Sequence, residues 1–166
     1  MSSSTLPQVP LLFLLFISLS LLFAFVAPYT DTPTAYELLE SYDFPVGILP
    51  KGVTGYELNP DTGEFKLYLP QTCKFSIQGY DLEYKSTISG VVSKDRITKL
   101  KGISVRIFII WLSITEVDNK NGQLQFSVGI ASANFPLDGF EESPTCGCGF
   151  DCNGANHLIS TLVSSS

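Results

Sequence analysis

Residues 102–118 decide the fold, and they read G-I-S-V-R-I-F-I-I-W-L-S-I-T-E-V-D. Apolar and polar residues alternate as far as Ile107, which is typical of a β-strand with one buried face. From Ile107 through Leu112 both faces are apolar, and polar residues return only at Ser113. We therefore predict one long strand whose middle third needs cover on both sides, from a helix, a second sheet or an apolar ligand.

Shorter segments of alternating residues surround this strand, separated by turn signals such as N-P-D-T-G (59–63) and the Asn121-Gly122 pair, a strong hairpin signal. Many short strands without a long crossover are typical of an antiparallel sheet that curls or closes. The fold class predicted is mainly β: an antiparallel β-barrel or strongly curled sheet. Its candidate strands are 53–58, 64–69, 74–78, 80–85, 88–93, 96–100 and 123–130.

One amphipathic helix is predicted ahead of the strands. Thr34 and Glu37 have the spacing of a capping box, in which each side chain bonds the other residue's backbone N–H. Ala35, Leu38 and Tyr42 then lie on one helical stripe, and Pro45 ends the helix. We expect this stripe to pack on the sheet or to close one open end of it.

The N-terminal region contains no charged side chain before Asp31, and residues 11–27 are apolar apart from two serines. We interpret residues 1–27 as a secretory signal peptide, with an uncleaved membrane anchor as the alternative. Residues 28–33 are then a linker, 34–146 the β-barrel domain and 147–166 a flexible tail rich in Cys, Gly and Ser. The expected location is extracellular, in the apoplast, or on an endomembrane if the anchor is retained.

The net charge is −6, and all charged residues follow the apolar segment. An acidic surface argues against binding to nucleic acid or to anionic lipid surfaces. It leaves open the binding of single lipid molecules in the interior. Membrane association is expected only if the N-terminal segment is uncleaved, and the sequence does not define the oligomeric state.

The four cysteines favour disulfides, because an oxidising compartment is expected. We predict Cys73–Cys146, which joins the middle of the chain to the end of the domain, and Cys148–Cys152, which closes a small loop. The alternative is a metal site that uses the last three cysteines with His157, but the paired C-x-x-C spacing of structural zinc is absent.

The predicted ligand site follows from the surplus of apolar residues in the long strand. A hydrophobic small molecule or lipid would cover the second face of that strand, and Lys51 would meet an acidic headgroup at the barrel mouth. The simpler explanation is cover by the helix or a dimer interface. The candidate ligand-binding residues are Phe108, Ile110, Trp111, Leu112, Leu38, Tyr42 and Lys51.

Catalytic signals are weak. Asp61-Thr62-Gly63 matches an aspartic-protease triplet but occurs once, inside a turn signal. The sole histidine, His157, lies in the tail, and Glu141 with Glu142 are expected to be surface acids. We predict no catalytic residue and no cofactor.

Several motifs together resemble a plant family called domain of unknown function 538. They are Y-E-L-L-E-S-Y-D-F-P-V-G-I-L-P-K-G-V (36–53), L-P-Q-T-C ending at Cys73, I-F-I-I-W-L-S-I-T (107–115), F-S-V-G (126–129) and F-E-E-S-P-T-C (140–146). The resemblance implies a small plant protein with a barrel-like fold, compared with the lipid-binding barrel of bactericidal permeability-increasing proteins. It also implies links to chlorophyll binding or hydrolysis and to stress responses, without a shared catalytic residue.

The leading hypothesis is therefore a secreted, non-enzymatic protein that binds a lipid-like or pigment-like molecule. The alternatives are an esterase-like hydrolase, with chlorophyll as one substrate, and a stress-related interaction protein of the cell wall.

Overall fold

The structure of the protein is a computed structural model that describes residues 32–150 and 152. The described residues from Pro33 onward belong to one compact unit. The predicted signal peptide or anchor and His157 also lie outside the described residues. In the described part, no helix has the length and apolar character needed to cross a bilayer.

Helix α1 (Ala35–Ser41) begins with the predicted capping box. The Glu37 backbone N–H donates to the Thr34 hydroxyl at 3.2 Å, and the Thr34 backbone N–H donates to the Glu37 carboxylate at 2.7 Å. A 3₁₀ helix, η1 (Val46–Ile48), follows, and a second one, η2 (Leu137–Phe140), lies near the end of the domain.

In the part of the chain that the structure describes, nine strands form one antiparallel sheet. The path through it runs β1-β2-β4-β5-β7-β8-β9, with β3 paired to β4 and β6 paired to β5. The strands are β1 (Gly55–Leu58), β2 (Glu64–Tyr68), β3 (Cys73–Ile77), β4 (Tyr80–Ser93), β5 (Arg96–Ile107), β6 (Ile110–Ser113), β7 (Glu116–Lys120), β8 (Gln123–Ser127) and β9 (Ser132–Pro136).

The prediction of one long strand over residues 102–118 is wrong. Strand β5 ends at Ile107, and Ile107 pairs with Ile110 across a two-residue turn made by Phe108 and Ile109. The apolar run is therefore the tip of a hairpin, and within the described residues the side chains of Phe108, Ile109 and Ile110 at this tip are exposed rather than covered.

The mainly β, antiparallel prediction is confirmed, and of its two forms the closed barrel is not adopted. Among the described strands, β1 and β9 end the hydrogen-bonded order without pairing to each other. The sheet nevertheless curls, and a ring contact shows this. The ring of Tyr80 at the start of β4 lies 5.7 Å from the ring of Phe135 in β9. Three strands separate β4 from β9 in the sheet order.

The core lies on the inner face of this curled sheet. Helix α1 covers β2, β4 and β5. Leu39 in the helix is buried against this part of the sheet, as are Ile88 in β4 and Ile103 in β5. A space of only about 60 Å³ remains between helix and sheet. Cover of the sheet by the helix, the simpler explanation for the helix stripe, thus describes where Leu38 and Tyr42 lie.

Both predicted disulfides are present. Cys73 in β3 is bonded to Cys146, and Cys148 is bonded to Cys152. These bonds occupy the thiols that the metal alternative requires. The first residues of the predicted flexible tail pack on β3, since the Gly147 N–H donates to the Lys74 carbonyl oxygen at 2.6 Å.

Candidate binding site

The candidate site is an apolar cavity of about 150 Å³ inside the curled sheet. Its inner wall is made by Phe75 and Tyr84, whose rings stack at 5.4 Å, together with Val105 and Ile114. All four side chains are buried. Alternation along β3, β4 and β5 places Phe75, Tyr84 and Val105 here, since every second residue of a strand points to the same face, and Ile114 follows β6.

Aromatic side chains form the opposite wall. The ring of Phe126 lies 5.8 Å from that of Phe135 and 5.6 Å from that of Phe140, which connects β8, β9 and η2. Edge-on and tilted contacts of this kind add stability beyond the buried area. These contacts therefore link β8, β9 and η2 on this side of the cavity.

Residues at three hairpin turns line the cavity, and the exposed ones among them mark its mouth. Gln78 belongs to the β3–β4 turn, Ile107 precedes the β5–β6 turn, and Val128 with Ala131 flanks the β8–β9 turn. Ser132 and Ala133 at the mouth are exposed. The described lining in full is Gly47, Phe75, Ile77, Gln78, Tyr80, Leu82, Tyr84, Val105, Ile107, Ile114, Phe126, Val128, Ala131, Ser132, Ala133, Phe135 and Phe140.

No charged residue is among the described residues of this lining. The deepest polar group is the Tyr84 hydroxyl, which donates to the Ile48 carbonyl oxygen at 2.8 Å. Burial raises the pKa of the Tyr84 phenol well above its usual range, so the group stays neutral. The cavity can hold an uncharged apolar group, and its described residues supply no general base for hydrolysis.

The structure places the seven predicted ligand residues in three separate places. Phe108, Ile110 and Trp111 are exposed at the β5–β6 hairpin tip, with Leu112 half-buried behind them. Leu38 in helix α1 and Tyr42 at its end lie on the side of the helix that faces the sheet. Lys51 lies with the exposed Glu141 and Glu142 around a shallow depression. None of the seven lines the cavity, and their role in binding stays a prediction.

The sequence does not distinguish the lining residues from ordinary core. Tyr80, Leu82 and Tyr84 alternate with polar residues in the sequence, as do Phe126 and Val128. Alternation shows that a side chain points inward but does not show whether another side chain fills the space opposite. The available signal was the number of aromatic residues on these inward positions, because large rings on a curved sheet leave gaps between them.

Metal-binding and catalytic candidates are scattered. In residues 32–150 and 152, no three His, Cys, Asp or Glu side chains are grouped as a metal site requires. Asp61 lies in the turn before β2, where the Asn59 side chain accepts its backbone N–H at 3.0 Å. This is the turn predicted for residues 59–63.

A sequence model of the family described as "Protein of unknown function, DUF538" matches residues 35–141, which include α1 and every strand. The chain belongs to the DUF538 family. An uncharacterized protein from Arabidopsis thaliana is 28% identical over 95 residues, which are 57% of this chain. That match covers 55% of the relative's own length. Family and relative together support a plant protein of unknown function.

Proposed function

We propose that this DUF538 protein is secreted and binds the apolar part of a lipid-like or pigment-like molecule in the cavity between β3–β5 and β8–β9. The observation that carries the proposal is an apolar cavity of about 150 Å³ whose described lining has no charged residue and is partly exposed at Gln78, Ser132 and Ala133. Burial of apolar ligand surface is the main source of affinity that such a site offers. Two disulfides are consistent with an extracellular location.

The cavity volume limits which part of the ligand enters. A cavity of about 150 Å³ lined by aliphatic and aromatic residues is large enough for benzene. One ring or a short stretch of acyl or isoprenoid chain therefore fits, and the remainder of the ligand lies at the mouth. At about 0.8 kcal/mol per buried CH₂, five carbons contribute about 4 kcal/mol, which corresponds to millimolar affinity. Tighter binding requires further contacts at the mouth.

The test is uptake of N-phenyl-1-naphthylamine, a neutral dye that fluoresces in apolar surroundings. The blocking variant is Ala133→Phe, since Ala133 lines the mouth, is exposed and lies in a strand that accepts an aromatic residue. The matched control is Asn134→Phe on the next position of β9, which lies outside the lining.

We expect saturable dye binding by the natural protein, at least about tenfold weaker binding by Ala133→Phe, and a change of less than about twofold by Asn134→Phe. Equal losses in both variants, or no saturable binding by the natural protein, would refute the cavity as the site. Near-native circular dichroism of both variants is the folding control.

A further inference from the structure

Two hairpin tips beside the cavity expose large apolar side chains. At the β5–β6 tip, 94% of Phe108 and 91% of Ile109 is open to solvent, and Trp111 behind them is 43% exposed. At the β8–β9 tip, Ile130 is 97% exposed. Side chains as exposed as Phe108, Ile109 and Ile130 contribute almost nothing to the folded core, and large apolar residues exposed side by side at a tip mark an interaction surface. We call these four residues the apolar rim.

The two tips use the same kind of turn, but only one has the residue that the turn prefers. In the Gly129–Ile130 turn, the first position has a φ of +88° and is glycine. In the Phe108–Ile109 turn, the first position has a φ of +56° and is phenylalanine. A positive φ at the first position alone is the pattern of a type II′ turn, which prefers glycine there. Phe108 thus combines backbone strain with solvent exposure, which is a reason to look for a function.

Both tips border the mouth of one cavity. Ile107, which lines the cavity, directly precedes Phe108, and Val128 and Ala131, which also line it, enclose Gly129 and Ile130. The Val128 N–H closes the second turn by donating to the Ala131 carbonyl oxygen at 2.9 Å. Residues of the apolar rim are therefore direct neighbours in sequence of residues that line the cavity.

The charges behind the β5–β6 tip are paired. Arg106 forms an ion pair with Asp81, and Lys74 forms one with Glu83 at 2.6 Å. The Lys74 ammonium also lies 5.8 Å from the centre of the Trp111 ring. The base of the tip is thus locally neutral, while the chain as a whole has a net charge of −6.

We propose that the apolar rim inserts into the surface of an electrically neutral lipid bilayer and brings the cavity mouth into contact with the acyl chains. Large apolar side chains on two projecting turns, with a tryptophan at the level where lipid meets water, suit the interfacial zone of a membrane. A second copy of the chain is a poorer fit, because stable interfaces bury about 1,200 Å² or more of matched surface and two separate turns present little of it. The inference goes beyond ligand binding, since the rim can insert whether or not the cavity is filled.

The sole tryptophan of the sequence, Trp111, reports on this insertion directly. The experiment mixes the full chain with phosphatidylcholine vesicles that carry a doxyl quencher at carbon 5 of an acyl chain, and follows Trp111 emission. Quenching depends on the depth of Trp111 itself, so attachment of the chain through residues 11–27 alone does not produce it. Vesicles with about a third phosphatidylglycerol test the role of charge.

The test variant is Phe108→Ser with Ile109→Ser, and the matched control is Phe108→Leu with Ile109→Leu. We expect blue-shifted, quenched emission for the natural protein and the leucine control, and at least about tenfold weaker partitioning of the rim for the serine variant. Anionic lipid should not strengthen insertion. The Ala133→Phe variant should keep Trp111 quenching even if it loses dye uptake, which separates this inference from the proposed ligand site.

Three results would overturn it. One is unquenched Trp111 emission with every vesicle. Another is insertion that requires anionic lipid. The third is Trp111 emission that is already blue-shifted without vesicles and that shifts to the red in the serine variant. The rim would then be covered in solution, by a second copy if sedimentation shows a dimer and by the chain itself if it shows a monomer.

Discussion

The Tyr84 hydroxyl and the Ile48 carbonyl oxygen form a buried hydrogen bond of 2.8 Å that joins the middle of the sheet to the 3₁₀ helix η1. Replacing Tyr84 with Phe leaves that carbonyl without a partner in an apolar place. We expect Tyr84→Phe to lower the free energy of unfolding by about 1–3 kcal/mol, measured by urea denaturation.

The matched control for this bond is Tyr80→Phe. Tyr80 also lines the cavity, but it is partly exposed, so water can replace any partner of its hydroxyl. A change within about 0.5 kcal/mol is expected there. Equal effects at the two tyrosines would show that the Ile48 bond does not fix η1 to the sheet.

The Cys73–Cys146 disulfide should contribute more to stability than Cys148–Cys152. The two bonds join residues 73 and 4 positions apart, respectively, and restriction of the unfolded chain increases with loop length. The chain-entropy relation gives about 4 kcal/mol for the long loop and about 2 kcal/mol for the short one. Denaturation of the two paired Cys→Ala variants tests this order, and a larger loss for the short loop would contradict it.

The turn at Phe108 should be more stable with glycine. Phe108→Gly relieves a positive φ without removing buried contacts, and we expect a gain of about 1 kcal/mol in the free energy of unfolding. The reverse effect is expected from Gly129→Ala, where a Cβ meets no atom within 4 Å and only the backbone at φ +88° is strained. Ile109→Ser is the control and should change little. A loss of stability in Phe108→Gly would mean that the ring supports the fold.

Most elements of the sheet could be predicted from the sequence because their signals are local. The Asn121–Gly122 turn has positive φ at both residues, as the sequence pair suggested. In the turn at residues 59–63, the Asn59 side chain accepts hydrogen bonds from the backbone N–H groups of Asp61 and Thr62, as Asn in turns commonly does. The break at Phe108 could not be found this way, since its turn contains none of the residues that mark turns. Its apolar character extended the strand pattern instead, and the expected cover on both faces followed from that error.

The candidate site was harder to predict because a cavity is a property of pairs of distant strands. Tyr80 and Phe135 each read as one inward position of a strand, and nothing in either segment indicates that the sheet curls enough to bring their rings to 5.7 Å. The curl depends on β4, which pairs with β3 along one half and with β2 along the other, with shifts in register after Tyr84. Such bulges bend a strand but have no reliable sequence signal.

The start of helix α1 should depend on pH through Glu37. Hydrogen bonds from the Thr34 backbone N–H and hydroxyl hold the pKa of the Glu37 carboxyl below its usual value of 4.5. Because the folded-state pKa is lowered, the stabilising contribution is present above 4.5 and is lost as the pH falls through the folded-state value. NMR titration should show this lowered pKa, and Thr34→Ala should raise it part of the way back, since the backbone donor remains. An unchanged midpoint in Thr34→Ala would exclude the hydroxyl as a cause.

The contact between η1 and η2 should tolerate no side chain at Gly47. A Cβ at this position would lie 2.3 Å from the Phe140 carbonyl oxygen and 2.7 Å from that of Glu142, and both are backbone atoms that cannot rotate away. Gly47→Ala should therefore push η2 outward and lower the free energy of unfolding by about 1–3 kcal/mol. Gly55→Ala in β1 is the matched control, because a Cβ there meets nothing within 4 Å. Phe140 and Gly47 both line the cavity, so Gly47→Ala should also change uptake of the naphthylamine dye, whereas Gly55→Ala should leave it unchanged. Full stability and unchanged uptake in Gly47→Ala would mean that η2 does not close the cavity.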